Sequence, residues 1–273
     1  MIKITKVSVQ KRSKERYNIF IDRGQGEEYG FSVDEDILIK IGLRKGLEIE
    51  EDELKEILDK DEEKKTHHLA LHFLSYRMRS VKEMMEYLQK KEREPKHIDT
   101  VVKRLLDQNL LNDEMFAASY IESKKLTLLK GPLKLKQELS QKGVGQAHIE
   151  TALEDFTEEE QIDKLIKWIA KKESRKPKQS VSAYKQKLAG QLMNKGFTHS
   201  IIEQAMREVT FEVDNEEEWE ALTYQASKLK RKYSSKYEGY EYQQRMKQAL
   251  YQKGFPIDMI NEYLSREKED DMD

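Results

Sequence analysis

The chain of 273 residues has no cysteine, only four prolines and twelve glycines, and no stretch of 18 uncharged apolar residues. Without cysteine there are no disulfides and no thiolate-held zinc or iron–sulfur group, and nothing calls for an oxidising compartment. Without a long apolar run there is no candidate membrane span. The opening MIKITKVSVQ lacks the apolar segment of a secretory leader, so a cytoplasmic protein is expected. No phosphate loop, no nucleophile paired with a base and no carboxylate dyad can be picked out, and the chain reads as a non-enzyme without a cofactor. What the sequence does have is charge: 37% charged and 37% hydrophobic residues with few helix breakers, the composition of long amphipathic helices.

The first sixty residues keep a period of two. Ile2 and Ile4, Val7 and Val9, then Tyr17, Ile19 and Ile21, then Tyr29, Phe31 and Val33 alternate with polar residues, which predicts a three-strand meander. Gly24-Gln25-Gly26 lacks the rest of a dinucleotide fingerprint and reads as a hairpin turn. Asp34 can cap a short helix that ends at Gly42, and LEIEEDELKEIL opens a longer one.

From about residue 64 the period becomes helical and the sequence repeats itself. LSQKGVGQAHIETAL, LMNKGFTHSIIEQAM and LYQKGFPIDMINEYL align without a gap, so that Leu139/Gly143/Ile149/Leu153 match Leu192/Gly196/Ile202/Met206 and Leu250/Gly254/Ile260/Leu264. The same offsets give Leu88, Glu92, Ile98 and Val102, a divergent first copy without its glycine. In the three copies that keep it, Lys-Gly is a left-handed helix stop. Ser80 with Glu83 and Thr157 with Glu160 fit a capping box, and Pro256 suits a first helical turn. The fold expected is mainly α: tandem three-helix repeats stacked into an elongated curved solenoid, behind a small N-terminal β-meander. The boundaries drawn are 1–62 for the β-meander and short helix, 63–111, 112–156 and 157–213 for three units, and 214–273 for a fourth with an acidic tail.

His68 and His72 lie one helical turn apart beside His67, but a further ligand is missing and the trio reads as surface or partly packed histidines, not a metal site. Trp168, Trp219, Met84, Met85, Met193 and Met206 lie on helical stripes and read as core. The net charge of −2 hides segregated runs. Residues 48–63 are acidic. Lys124–Lys142 carries six lysines, Lys164–Lys187 nine basic residues against Glu173, and Lys228–Lys236 five with no acid. Single runs of this kind are most often solvated helix faces; three of them, interleaved with Tyr184, Tyr233 and Tyr237, suit a polyanion or an acidic protein assembly.

The second unit, NDEMFAASYIESKKLTLLKGPLKLKQELSQKGV, resembles the signature of the RecX regulatory proteins at Asp113, Phe116, Ala117, Tyr120, Lys130, Gly131, Pro132, Glu138, Leu139, Lys142 and Gly143. The resemblance covers most of the chain. It implies a protein that lodges in the helical groove of the RecA recombinase filament on single-stranded DNA and inhibits its ATPase, strand exchange and coprotease activities. A monomer is expected. The matched segments imply a basic surface at Arg77, Arg79, Lys130, Lys134, Lys136 and Lys142, to which the third unit adds Lys171, Lys172, Arg175 and Lys176. The alternatives are a module that coats nucleic acid directly and a helical scaffold between other proteins.

Overall fold

The computed structural model describes residues 1–11, 13–173, 178–209, 211 and 214–270. The chain divides into two compact units, Met1–Ala117 with Ser140–His148, and Ala118–Leu139 with Ile149–Asp273.

In the first unit the alternating apolar residues form β1 (Ile2–Val9), β2 (Arg16–Asp22) and β3 (Glu27–Asp34), all antiparallel. The hairpin between β2 and β3 turns at Gly24 and Gly26, whose N–H groups both donate to the Asp22 carboxylate at 2.7 and 2.9 Å. Asp34 caps α1 (Glu35–Ile41) through the Asp36 N–H, and Gly42 ends it at φ 72°. The chain then makes a short β4 (Glu48–Ile49), which pairs with β1 to give the order β3-β2-β1-β4. The sequence predicts that LEIEEDELKEIL opens the long helix; the helix α2 (Glu51–Leu74) begins after Glu50, whose N–H donates to the Glu53 carboxylate.

Ile2, Ile4, Ile19, Ile21, Phe31 and Val33 face α2 through Leu54 and Ile57. Burying each large side chain contributes about 1.5–3 kcal/mol. The far half of α2 packs through Ala70 against α3 (Val81–Lys90) and α4 (Pro95–Asp107). One helix therefore serves two cores, and the 62/63 boundary falls inside it.

The remaining helices are α5 (Asp113–Thr127), α6 (Pro132–Gln141), α7 (Gln146–Glu154), α8 (Glu158–Glu173), α9 (Val181–Asn194), α10 (His199–Glu208), α11 (Asn215–Tyr233), α12 (Gly239–Gln252) and α13 (Ile257–Asp270). With α2, α3 and α4 they form three-helix repeats of one pattern: Leu88, Leu139, Leu192 and Leu250 are fully buried, as are Ile98, Ile149, Ile202 and Ile260 within 2%. Gly143, Gly196 and Gly254 hold φ of 81°, 90° and 83°, and Glu92 in the divergent copy holds 57°. Three of the four turns close the same way. Phe197 N–H returns to Leu192 O, Phe255 N–H to Leu250 O and Arg93 N–H to Leu88 O, the six-to-one bond of a Schellman end.

The glycine turns also join repeat to repeat. In the first unit, Ser80 caps α3 through the Glu83 N–H and donates its hydroxyl to Lys142 O at 2.7 Å, while Val81 N–H donates to Asp113. A Cβ on Gly143 would meet the Lys82 Cβ at 2.6 Å. In the second unit, Gly131 N–H donates to Lys195 O and Leu133 N–H to Gly196 O, and a Cβ on Gly196 would lie 2.4 Å from Lys134 N. Ser180 donates to Lys253 O, Val181 N–H donates to Glu218, and a Cβ on Gly254 would lie 3.0 Å from the Ser182 Cβ. Each Lys-Gly turn is thus the floor on which the second helix of the preceding repeat starts. Glu92 ends a turn of the first repeat, before which no repeat stands, and it is exposed. Its side chain costs only the left-handed backbone, which explains how this copy does without glycine.

Some expectations are corrected. The Ser80 half of the capping box forms, but the Glu83 carboxylate turns to Arg77 and Lys142. Pro256 immediately precedes α13 (Ile257–Asp270), its carbonyl accepting from Ile260 N–H at 3.0 Å. Met84 is fully buried, but Trp168, Trp219, Met85 and Met206 are half-buried and Met193 is 52% exposed. A stripe near the edge of a short helix meets solvent on one side.

Candidate interaction surface

Four of the basic residues singled out by the sequence, Arg77, Lys130, Lys136 and Lys142, are held by the protein's own carboxylates. In the first unit the Glu83 side chain, set in the first turn of α3, accepts from Arg77 at 3.0 Å and from Lys142 at 2.6 Å. Burial raises its pKa, but these two cations outweigh that and leave it below the ordinary glutamate value. Arg79 lies with its guanidinium 3.9 Å from the Phe73 ring centroid, and Phe73 stacks on Tyr87 at 3.9 Å with 6° between planes. Arg79 is therefore the outer layer of an aromatic stack.

In the second unit Lys130 pairs with Glu138 at 2.5 Å, and the Tyr120 hydroxyl donates to the other oxygen of that carboxylate at 3.0 Å. Lys134 reaches only the Gln137 amide oxygen, and Lys136 pairs with Glu150 at 3.2 Å, both in exposed settings. Lys125, from the same run, is 7% exposed between Glu160 and Glu122. Lys171 stands in the last turn of α8, and Lys172 holds its ammonium 5.7 Å from the Trp168 ring while its carbonyl accepts from the Tyr184 hydroxyl. Arg175 and Lys176 lie outside the described residues. Arg77 and Lys142 are brought together, through Glu83. Sequence spacing does not disclose that carboxylate, because it approaches Lys142 from 59 residues away.

The histidine trio does not converge. His68 and His72 are exposed, His72 Nε2 lying 3.3 Å from the Tyr76 hydroxyl, and the half-buried His67 has its Nε2 out of solvent without a partner. Asp59, Glu94 and His97 do come within 4.8 Å of one another. Their acceptors are already engaged: His97 Nε2 is 2.9 Å from Asp59, and Lys96 holds both Asp59 and Glu94. Among the described residues no helix is long and apolar enough to cross a membrane.

The residues that carry the family resemblance are largely joints. Asp113 receives the first N–H of α3, Tyr120, Lys130 and Glu138 bond one another, Gly131 abuts Gly196, and Lys142-Gly143 supports Ser80 and Lys82. Comparison with known families agrees with that pattern. Models described as the RecX N-terminal domain and the first and second three-helix domains of RecX match residues 2–50, 67–105 and 112–153. The model of the third three-helix domain matches twice, at 158–206 and 216–264. The chain belongs to the RecX family. It is 52% identical over 262 residues to the regulatory protein RecX of Halalkalibacterium halodurans, covering 96% of this chain and 98% of that one. With the regulatory protein RecX of Bacillus cytotoxicus it shares 43% over 270 residues, 99% of this chain and all of the relative. A solved regulatory protein RecX superposes with a TM-score of 0.65 at 35% identity, over 76% of this chain and all of its own. RecX from Lactobacillus salivarius gives 0.52 at 31% identity, over 55% and 97%.

Proposed function

We propose that this RecX-family protein is a non-enzymatic, cytoplasmic regulator that binds the RecA recombinase filament on single-stranded DNA, in its helical groove, and inhibits ATPase, strand exchange and coprotease activity. The observation that carries this reading is the match along nearly the whole chain to proteins named regulatory protein RecX. The repeats supply the physical means. A protein of several similar helical units, boundaries as drawn above, can touch more than one filament subunit and hold neighbours in a fixed relation without chemistry of its own.

Within the candidate surface, Lys134 is the cation most available to a partner, since it reaches a neutral amide, followed by Lys136, whose pair with Glu150 is solvent-exposed; Lys130, Lys142 and Arg77 are committed to less exposed carboxylates. Lys171, Lys172, Arg175 and Lys176 extend the same proposal. The test is the single-stranded-DNA-dependent ATPase of the recombinase with this protein added as a monomer well below one copy per subunit. Inhibition at that ratio supports a groove-bound regulator, and an ATPase that stays unchanged up to equimolar protein rejects it.

A further inference from the structure

Helix α11 turns Ala221, Leu222, Ala226 and Leu229 into the core of the fourth repeat. Its opposite face carries Tyr224, Lys228 and Arg231, spaced i, i+4, i+7 on one stripe about 10 Å long. Tyr224 is 38% exposed. The Lys228 ammonium lies 4.2 Å from its ring centroid and the Lys178 ammonium 5.2 Å. Lys178 is held there by the backbone, because the Gln225 side-chain amide donates to the Lys178 carbonyl at 2.8 Å. Among the described residues Lys178, Lys228 and Arg231 have no carboxylate within ion-pair reach, in contrast to Lys130, Lys136 and Lys142.

An exposed flat ring with two unneutralised ammoniums beside it, and Arg231 further along the same stripe, calls for a ligand that has both a π-face and negative charge. We infer that Tyr224, with Lys178, Lys228 and Arg231, is a contact for single-stranded nucleic acid, a base taking the tyrosine ring and the cations taking flanking phosphates. The base displaces one ammonium from the ring, and that ammonium then meets a phosphate. An acidic peptide would use the cations and leave the ring idle, so the aromatic at the centre favours the nucleic acid. This rests on the reading that the protein works at a recombinase filament on single-stranded DNA, and it assigns to the fourth repeat a direct hold on the strand.

The experiment uses the full chain without recombinase and a dye-labelled oligo(dT), followed by fluorescence anisotropy across a salt series. Wild type should bind, Tyr224→Ala should lose about tenfold or more, the scale of one stacked base, and Tyr224→Phe should stay near wild type. Lys228→Glu with Arg231→Glu should weaken binding and flatten the salt slope by about two. Lys40→Glu, at an exposed lysine of α1, serves as the control and should change little. Unaltered affinity in Tyr224→Ala, no binding by the wild type, or equal Tyr224-dependent binding of a poly-Glu peptide each overturns the inference. Failure of recombinase inhibition with Tyr224-dependent oligo(dT) binding intact would sink the filament reading and leave this site standing; inhibition with Tyr224-independent oligo(dT) binding would do the reverse. Tyr224 lies outside the core, and unchanged melting of its variants checks that the fold is kept.

Discussion

The Ser80 hydroxyl donates to the carbonyl oxygen of Lys142, 62 residues further along the chain, at 2.7 Å. That bond spans the joint between the first two repeats, and Ser180 makes its counterpart to Lys253. Both hydroxyls also cap a helix, through the N–H of Glu83 and of Ala183. One serine therefore ends one helix and starts another.

Glycine substitutions should rank by what lies above them. Gly42 has φ 72° and open space around it, so Gly42→Ala should cost about 1 kcal/mol from backbone conformation alone. Gly254→Ala adds a 2.9 Å approach to the Ser180 hydroxyl, and Gly196→Ala adds a 2.4 Å collision with the backbone nitrogen of Lys134, which cannot rotate away. Chemical denaturation should give the order of loss Gly196 above Gly254 above Gly42. Equal losses at all three would mean that the turns serve only to stop helices.

Asp113 is half-buried, and that desolvation pushes its carboxyl above the ordinary aspartate value despite the N–H of Val81. A raised folded-state pKa means that its contribution is fully present below the unfolded value, about 4, and is lost as pH rises through the folded value. Asp113→Asn keeps an acceptor for Val81 without the buried charge. It should therefore melt higher than wild type at pH 7, with the gain vanishing toward pH 4. Asp113→Ala, which removes the acceptor, should lose about 1 kcal/mol.

Asp61 shows the opposite sign. Its side chain is 2% exposed and accepts from Arg16, Lys65 and the Asp34 N–H; burial raises its pKa, but these partners outweigh burial and hold it below the usual carboxylate range. The stability it gives is present at neutral pH and falls away as pH drops through its folded value. Asp61→Ala should cost about 3–5 kcal/mol at pH 7, by leaving Arg16 and its neighbours without their anion. Its melting deficit should shrink in acid.

Charge reversal should separate joint from surface. Lys142→Glu sets a carboxylate against Glu83 and should lower the melting temperature, whereas Lys134→Glu and Lys136→Glu should leave it within a degree or two. The latter pair is the one to carry into recombinase assays. If Lys142→Glu melts like wild type, its contact with Glu83 contributes nothing to the joint.

Much of the fold was legible because local rules act alone there. Asp34 and Gly42 bracket α1, Gly24 and Gly26 turn a hairpin, and Lys-Gly ends three helices. The two-residue β4 left no period to detect, and the second role of Gly143, Gly196 and Gly254 depends on chain arriving from another repeat. The candidate site was less legible for a related reason. Lysine runs announce charge but not its neutralisation: Glu83 and Glu150 reach Lys142 and Lys136 across helix packing that no linear spacing encodes, and Glu138 folds back on Lys130 just before its own helix.

The joint carries its two halves on different parts of one unit: a helix start that rests on the next turn, and a turn that receives the previous helix start. A tandem duplication therefore arrives with both halves and needs no new fit at either side. The third-domain model matches this chain twice, 58 residues apart, whereas two solved relatives align over nearly all of their own length but only 76% and 55% of this one. Growth and shrinkage of such a lineage by whole units, with register preserved, is what a self-complementary joint allows.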